Sequence, residues 1–408
     1  MKRYQWMGIM LSLVLLLCSC GTDKEVEKKA GESTSTPSAT ASVMPLISED
    51  EAFSEAEKIV KTMTIEQKVG QMFLVDLLQL DASPSVDGTA YKATDSMKQA
   101  IIDYHLGGVY LTKENIKSQK QTKKLVQNLQ ASVVSGSALY VAVEEDGGGE
   151  NSISAKVEDL KDTGYVTPKE MGQNMTANQI YESGKTIAGE LTKIGINLNL
   201  APVADLASDQ NPSYAMRCLG SDADGVADLL DDFVSGMREG GLSVTLRNFP
   251  GIGNVSVDVT ESIAENTDSL MTIRDTNFAP YASGIQAGAD CVMVSNAAYS
   301  KLTVKKVPAF MSQDIVTKLL REELGFDGIV MTSPLNDNVI ENNYTNEFAV
   351  VEAVKAGCDL IVLPGNFKEC YEALITAVEE GRIDEKVINT SVRRILQNKI
   401  QRGILVLE

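Results

Sequence analysis

The chain has 408 residues, of which 43% are hydrophobic, so it is long enough to bury one large core or two smaller ones. Acidic residues outnumber basic ones, 56 to 37, and the formal net charge at pH 7 is −19. Binding to a nucleic-acid backbone requires a basic face, so this balance argues against a nucleic-acid partner. An acidic, solvated surface is enough to explain the charge.

Residues 1–19 have the pattern of a bacterial lipoprotein signal peptide. A Lys-Arg pair is followed by an apolar stretch over residues 6–18, which is too short to span a membrane comfortably. The motif Leu17-Cys18-Ser19-Cys20 resembles a lipobox and predicts that Cys20 is lipidated and becomes the first residue of the mature protein. An ordinary secretory peptide or an uncleaved anchor is the alternative. We therefore expect an extracytoplasmic protein that its lipid alone holds to the bacterial cell membrane.

Residues 20–49 predict a flexible tether between this lipid and the folded domain. The segment is dominated by Ser, Thr, Ala, Pro and charged residues, and it cannot bury enough apolar area to offset the entropy of ordering. The folded domain is expected over residues 50–408. Its first helix is indicated by the apolar spacing of Ala52, Ala56 and Val60, and Thr64-Ile65-Glu66-Gln67 is a capping box for a second helix.

Eight short apolar runs then recur along the chain, and helical periodicity separates the later ones. They are Gln71–Val75, Gly108–Leu111, Leu139–Val143, Asn197–Leu200, Ser243–Leu246, Cys291–Val294, Ile329–Thr332 and Leu360–Leu363. At five joints a glycine ends a helix just before the next strand, which is typical of left-handed C-caps: Gly195, Gly241, Gly288, Gly325 and Gly357. Parallel strands require such helical crossovers, so we predict a single (β/α)₈ TIM-type barrel. A doubly wound open sheet is the rival, but the chain has no glycine-rich phosphate loop to support it.

Polar residues follow the predicted strands and are expected to line one mouth of the barrel, where such folds place their chemistry. They are Glu144, Glu145 and Asp146 after strand three, Asp205 and Arg217 after strand four, Arg247, Asn248, Asp258 and Thr260 after strand five, Asn296 after strand six, and Ser333 after strand seven. For Glu144–Asp146 the alternative is a solvated loop end. For Arg217 and Arg247 the alternative is a structural ion pair with Asp205 or Asp258.

These stretches resemble glycoside hydrolase family 3, in particular its β-N-acetylhexosaminidase branch. The resemblance runs from Met63 to about Gly403, and its most specific motifs are Gly195-Ile196-Asn197-Leu198-Asn199-Leu200-Ala201-Pro202-Val203-Ala204-Asp205, Arg217-Cys218-Leu219-Gly220-Ser221-Asp222, Phe249-Pro250-Gly251-Ile252-Gly253 and Gly325-Phe326-Asp327-Gly328. It implies a barrel that acts on glycans built from N-acetylhexosamine. The substrate-binding residues we expect are Glu144, Arg217, Arg247, Asn248, Asp258 and Asn296.

The chain departs from the family pattern at the positions that carry the reaction. Family members place an aspartate nucleophile after the threonine of strand seven, where this chain has Ser333. They place a histidine acid/base two residues after a loop aspartate, where this chain has Thr260 after Asp258. Asn248 and Asn296 also stand where the family carries histidine. The resemblance therefore implies a degenerate active site.

Composition supports this loss independently. The only histidine is His105, which precedes strand two and is expected at the opposite end of the barrel as a surface or packing residue. A Ser-His-Asp triad and a multi-histidine metal site are therefore impossible. The cysteines after Cys20 show no metal-ligand spacing, and Cys291 and Cys358 are expected to be buried thiols. We expect neither a metal nor a cofactor.

Hydrolysis of a glycoside needs one carboxylate to stabilise the developing sugar cation and one group to protonate the leaving oxygen. A serine without a base supplies neither, and losing a covalent nucleophile costs on the order of 10⁶ in turnover, or ~8 kcal/mol. We predict a catalytically impaired barrel that binds a glycan or peptidoglycan fragment or serves as a scaffold. The alternative is an active glycosidase in which two of Glu144, Glu145, Asp146, Asp258 and Asp337 form a new carboxylate pair.

Overall fold

A computed structural model describes residues 47–133, 137–148, 153, 166–252, 255 and 258–407. These residues belong to one compact unit that spans Pro45–Glu408. The predicted signal peptide, Cys20 and nearly all of the predicted tether lie outside the described residues, so they stay predictions. Within the described ranges, no helix is long and apolar enough to cross a membrane.

Eight parallel strands form one sheet in the order β10-β1-β2-β3-β4-β5-β7-β9. They are β1 (Phe73–Asp76), β2 (Gly108–Tyr110), β3 (Tyr140–Val143), β4 (Leu198–Asn199), β5 (Ser243–Phe249), β7 (Cys291–Val294), β9 (Ile329–Thr332) and β10 (Ile361–Val362). A parallel bridge between Met331 and Leu360 joins the two ends of this order and closes the sheet into a barrel. The prediction of a (β/α)₈ barrel is confirmed, and the open-sheet alternative is wrong.

All eight predicted runs contain a strand, although several strand ends differ. Gln71 ends a helix instead of opening β1, and β5 continues three residues beyond its predicted end to Phe249. Two further strands, β6 (Glu265–Asn266) and β8 (Ala298–Tyr299), pair in parallel outside the barrel. Cys291 and Cys358 are buried free thiols, as expected.

Helices surround the barrel and connect its strands. They are α1 (Glu49–Thr62), α2 (Ile65–Gln71), α3 (Leu77–Leu80), α4 (Asp95–Asp103), α5 (Gln119–Gln130), α6 (Pro168–Asn174), α7 (Ala177–Lys193), α8 (Pro212–Ala215), α9 (Ala223–Glu239), α10 (Leu270–Thr276), α11 (Phe278–Gln286), α12 (Asp314–Glu323, with π-type hydrogen bonding), α13 (Asn338–Glu341), α14 (Asn346–Ala356), α15 (Phe367–Glu379) and α16 (Glu385–Gln401). The predicted capping box at Thr64 is present at the start of α2.

The five joint glycines all have the left-handed backbone that the sequence pattern predicts. Their φ angles are 92°, 97°, 93°, 71° and 112° for Gly195, Gly241, Gly288, Gly325 and Gly357. Residues with a Cβ rarely adopt this region, so glycine lets each helix stop and the chain turn at once into a strand. The repeated turn sets the short helix-to-strand joints on the amino-terminal side of the barrel.

The last helix, α16, packs against this amino-terminal end. Asn398 Oδ1 accepts hydrogen bonds from the hydroxyls of Tyr140 and Ser243, at 2.6 and 3.0 Å. The fully buried Lys399 donates from Nζ to Gln71 Oε1 at 2.9 Å and to the carbonyl oxygen of Gly107 at 2.8 Å. These partners lie at or before the starts of the strands, so the opposite, carboxyl end is the one that is left to hold a ligand.

His105 lies where the sequence predicts, at the amino-terminal end of the barrel. It lines a cavity of about 350 Å³ together with Gln71, Ser137 and Leu396. Its carbonyl oxygen accepts a 2.7 Å hydrogen bond from Gln71 Nε2. The single histidine therefore lies at the opposite end of the barrel from the residues that follow the strands.

Candidate functional site

At the carboxyl end of the barrel, Glu144 lies between two arginines from different loops. Arg247 holds both carboxylate oxygens of Glu144 in a forked pair, with Nη1 2.6 Å from Oε2 and Nη2 2.9 Å from Oε1. Arg217 approaches from the loop after β4, with Nη2 2.6 Å from Oε1 of the same carboxylate. Burial of Glu144 opposes ionisation, but the two arginines outweigh it and lower the pKa of its carboxyl to about 2. Glu144 is therefore ionised at neutral pH.

Asp146 completes this ionic cluster. Its Oδ2 accepts from Arg217 Nε at 2.9 Å and from Arg217 Nη2 at 2.6 Å. Asp146 and its neighbour Glu145 are both buried, and the Glu145 backbone N–H donates to Asn199 Oδ1 at 2.9 Å. The loop after β3 is therefore held by buried, paired polar groups and is not a loop end in water.

Asp205 is the centre of a second, neighbouring network. Its carboxylate accepts hydrogen bonds from the hydroxyl of Tyr214, from Asn248 Nδ2 at 3.3 Å and from the hydroxyl of Tyr281 at 3.3 Å. Asn248 Nδ2 also lies 2.5 Å from the Tyr214 hydroxyl. Burial raises the pKa of the Asp205 carboxyl, against the hydrogen bonds that it accepts.

Ser333 stands directly after β9 and is almost fully buried. Its hydroxyl donates a 2.8 Å hydrogen bond to the carbonyl oxygen of Val294, on the neighbouring strand β7. The backbone N–H of Ser333 donates to the same oxygen at 3.1 Å. The Ser333 hydroxyl thus donates its hydrogen bond to the sheet, and the side chain carries no charge.

The loops after β5, β7 and β9 meet beside this position. Asn296 Nδ2 donates to Asp337 Oδ2 at 2.7 Å, whereas Asn296 Oδ1 is buried without a partner among the described residues. The Val339 backbone N–H donates to the carbonyl oxygen of Thr260 at 2.7 Å, which places Asp337 beside the loop that carries Thr260. Burial raises the pKa of Asp337 to about 7, against the hydrogen bond from Asn296, and the charge of Glu144 adds to the rise.

Asp258 and Thr260 form an exposed turn of their own. Asp258 Oδ1 accepts from the Thr260 hydroxyl at 2.7 Å and from its backbone N–H at 2.9 Å. This local pairing is a common turn motif of aspartate. It leaves the Thr260 hydroxyl bound to a neighbour two residues away.

Arg217 and Arg247 do form ion pairs, as their alternative held, but their partners are Glu144 and Asp146 and not Asp205 or Asp258. β3, β4 and β5 are neighbours in the sheet, so the residues that follow them come together. The other alternative, that the loop after β3 is a solvated end, is wrong, since Glu145 and Asp146 are buried. The ligand-binding roles assigned to the predicted residues stay predictions.

The structure also brings residues to the mouth that the sequence argument missed. Tyr214 and Tyr281 contribute hydroxyls to Asp205, and Asp337, considered only as a substitute carboxylate, has a pKa raised to about 7. Tyr214 lies three residues before Arg217 in a loop already singled out, so its position was a usable signal. Tyr281 comes from α11, and nothing local in the sequence connects it to Asp205. Among the described residues, no group of three or more acidic, cysteine or histidine side chains is arranged to hold a metal.

A closed barrel of eight parallel strands, with carboxylate, guanidinium, amide and phenol groups converging after the strands, defines a (β/α)₈ protein with a polar cluster at its mouth. Residues 64–398 match the model of the glycosyl hydrolase family 3 N-terminal domain. The chain belongs to this family.

Two β-hexosaminidases illustrate the sequence similarity. Beta-hexosaminidase A of Pseudoalteromonas piscicida is 26% identical over 369 residues, which cover 83% of this chain and 61% of that protein. Beta-hexosaminidase of Xylella fastidiosa (strain M23) is 29% identical over 266 residues, which cover 64% of this chain and 77% of that protein. The chain thus spans about three fifths of the length of the Pseudoalteromonas relative.

Two solved structures share the fold. A glycoside hydrolase family 3 β-N-acetylglucosaminidase from Paenibacillus sp. str. FPU-7 superposes with a TM-score of 0.75 at 29% identity, covering 85% of this chain and 64% of that one. A β-N-acetylhexosaminidase from Beutenbergia cavernae DSM 12333 gives a TM-score of 0.71 at 27% identity, covering 83% and 98%.

Proposed function

We propose that this protein is a lipid-anchored surface protein whose family 3 barrel binds glycans containing N-acetylhexosamine, such as peptidoglycan fragments, and has lost most of its hydrolytic power. The single observation that supports the loss of catalysis is the hydrogen bonding of the uncharged Ser333 side chain. Its uncharged hydroxyl is bound to the Val294 carbonyl oxygen at the position where the family carries its nucleophile. A sugar cation that develops there meets no negative partner from this residue.

The second reacting group is also absent from its family position. Thr260 is no acid near neutral pH, and its hydroxyl is held by Asp258. Glu144 is ionised, but two arginines already neutralise it, so it is a weak stabiliser of a further positive charge. Substitution of both reacting groups together favours a binding role over a slow enzyme.

Support for binding comes from the polar groups that remain in place. Arg217 and Arg247 are fixed by Glu144, and Asn248 is fixed by Asp205, so these donors and acceptors are ordered before a ligand arrives. Preorganised groups lose little entropy on binding, which favours affinity for sugar hydroxyl and acetamide groups. The lipid on Cys20 would keep this site outside the cytoplasmic membrane.

The test uses the compact unit of residues 45–408, which contains all the described elements. We expect no release of phenol from an aryl β-N-acetylglucosaminide above the buffer rate, and measurable binding of muropeptides by calorimetry. Arg217→Ala is expected to weaken this binding, whereas the exposed pair of Arg382 with Glu380 supplies a control variant, Arg382→Ala. Enzyme-level turnover contradicts the loss of catalysis, and an absence of any glycan binding favours a scaffold role.

A second candidate, a hydrolase with rearranged carboxylates, is favoured by one observation. The pKa of Glu144 is lowered to about 2 and that of Asp337 is raised to about 7. Glycosidases use such a pair, in which one carboxyl is ionised and the other is protonated. This candidate predicts turnover that Glu144→Gln or Asp337→Asn abolishes and that Ser333→Ala leaves intact. The same aryl glycoside assay therefore separates the two functions.

A further inference from the structure

A lysine-lined groove lies on the outside of the barrel, away from the ionic cluster around Glu144. It encloses about 690 Å³ between the loop after β1 and helix α5. We call it the lysine groove, and its main lining residues are Tyr91, Lys92, Lys117, Lys120, Gln121 and Lys124. Both walls follow the carboxyl ends of adjacent strands, so the groove begins at the same end of the barrel as the mouth.

The charge of this groove is opposite to that of the chain. From residue 104 to residue 143 the sequence has five lysines and a single acidic residue, Glu114, within a chain of net charge −19. Lys92, Lys117, Lys120 and Lys124 are exposed, and none of them makes an ion pair with a described residue. Four like charges around one concavity repel each other, so an anion that enters it relieves this repulsion.

The groove is held open by side-chain hydrogen bonds. Gln121 Nε2 donates to the carbonyl oxygens of Tyr91 and Asn115, at 2.8 and 3.1 Å, and so joins the two walls. Gln121 Oε1 accepts from the Lys117 backbone N–H at 2.9 Å. These bonds hold the backbone at Tyr91 and at Lys117 against helix α5.

The lining between the lysines is suited to a sugar ring. Tyr91 is half-buried, and Lys117 Nζ lies 5.9 Å from the centre of its ring. Ala93 and Leu125 add apolar surface to the same concavity. The Tyr91 ring has the Lys117 ammonium over it and further ammonium groups in the same concavity, which suits a pyranose that carries acidic groups. A bare inorganic anion would leave this apolar surface unused.

We propose that the lysine groove binds an anionic glycan whose chain carries repeated carboxylate or phosphate groups. The lysines bind the acidic groups, and Tyr91 packs against a sugar ring between them. This site is separate from the mouth, so it does not depend on the proposed function of Ser333 and its neighbours. Because the groove begins at the same end of the barrel as the mouth, a bound anionic glycan chain would lie beside the mouth.

The test measures binding of polygalacturonate, phosphomannan, neutral dextran and inorganic polyphosphate to residues 45–408. We expect both anionic glycans to bind, with an affinity that falls as salt rises from about 50 to about 200 mM, and dextran not to bind. Lys117→Gln, Lys120→Gln and Lys124→Gln combined should weaken binding about tenfold or more. Lys123→Gln is the matched control, because Lys123 is exposed on the same helix outside the groove. Binding of only one anionic glycan still supports the proposal and identifies its acidic group.

Further variants separate the groove from its alternatives. Tyr91→Ala should weaken the anionic glycans but not polyphosphate, and Arg217→Ala in the mouth should leave both unchanged. Equal binding by the triple variant and the native protein overturns the proposal, as does loss of binding in Arg217→Ala. Lysine-dependent binding to phosphatidylglycerol vesicles without binding to either anionic glycan assigns the groove to a membrane surface and also overturns it.

Discussion

Asn296 donates a 2.7 Å hydrogen bond from Nδ2 to Oδ2 of Asp337, joining the loop after β7 to the loop after β9. The contact places a carboxyl beside the loop that carries Thr260. Burial raises the pKa of this carboxyl to about 7, with contributions from Glu144, Asp258 and Glu261. The charge state of Asp337 therefore changes within the physiological range.

Asp337→Asn should change how the free energy of unfolding depends on pH. The pKa of an unfolded aspartate is about 3.9 and that of folded Asp337 is about 7, so the folded state binds the extra proton between these values. Stability is therefore lost as pH rises from about 4 to 7. The neutral asparagine removes this loss, and we expect the variant to gain up to about 4 kcal/mol relative to the native protein between pH 4 and pH 8.

Urea unfolding at both pH values measures this gain. Asp209→Asn is the control, since Asp209 is exposed in a loop and has no ion pair with a described residue. Parallel pH profiles for Asp337→Asn and the native protein would show that Asp337 is ionised in the folded state.

Glu144→Gln should destabilise the barrel mouth by about 3 kcal/mol at pH 7, because it leaves the buried Arg247 facing Arg217 without a shared anion. The folded pKa of Glu144, about 2, is below its unfolded value, so its stabilisation is complete above about pH 4.3 and is lost as pH falls toward 2. The deficit of the variant should shrink at pH 3. Denaturant titrations at both pH values check this, with the exposed Glu182→Gln as control; a constant deficit would refute it.

Ser333→Asp combined with Thr260→His should give hydrolysis if the mouth binds a glycoside with its glycosidic bond beside these two residues. A positioned nucleophile and a positioned acid are each worth on the order of 10² or more in rate, so the double variant should exceed each single variant by about 10²-fold on an aryl β-N-acetylglucosaminide. The new carboxylate must turn away from the Val294 carbonyl oxygen, which now accepts from Ser333. An inactive double variant that still binds muropeptides would mean that the bound glycan does not present its glycosidic bond there.

Asp359→Ala should be strongly destabilising, by about 3–5 kcal/mol. Asp359 is buried and accepts from the Val330 N–H at 2.9 Å and from Ser391 Oγ at 2.8 Å, and it pairs with Arg321. Asp327→Ala is the matched control, because Asp327 pairs with Arg394 at 2.6 Å but is 76% exposed. That exposed pair should contribute less than about 1 kcal/mol. Thermal and urea unfolding compare the two variants; similar losses would argue against Asp359 as the link between α16 and the barrel.

Local sequence signals were sufficient to predict most of the strands and helix ends of the barrel. Gly325, for example, ends one helix and precedes the apolar strand Ile329–Thr332, and both features appear unchanged in the structure. The strand ends were less predictable: β5 continues to Phe249 because pairing with β7, not its own apolar pattern, determines its length. A strand boundary depends on the neighbouring strand, and a single chain segment does not contain that information.

The amino-acid sequence by itself determined the family, the eightfold alternation of strand and helix, and the residue types that stand after each strand. These follow from periodicity, caps and motif order, which act over a few residues. Only the tertiary structure decided that Arg217 and Arg247 share Glu144, and that Asp337 is desolvated beside Asn296. Pairing and desolvation depend on which loops lie side by side at the mouth of the folded barrel, and those loops are distant in sequence.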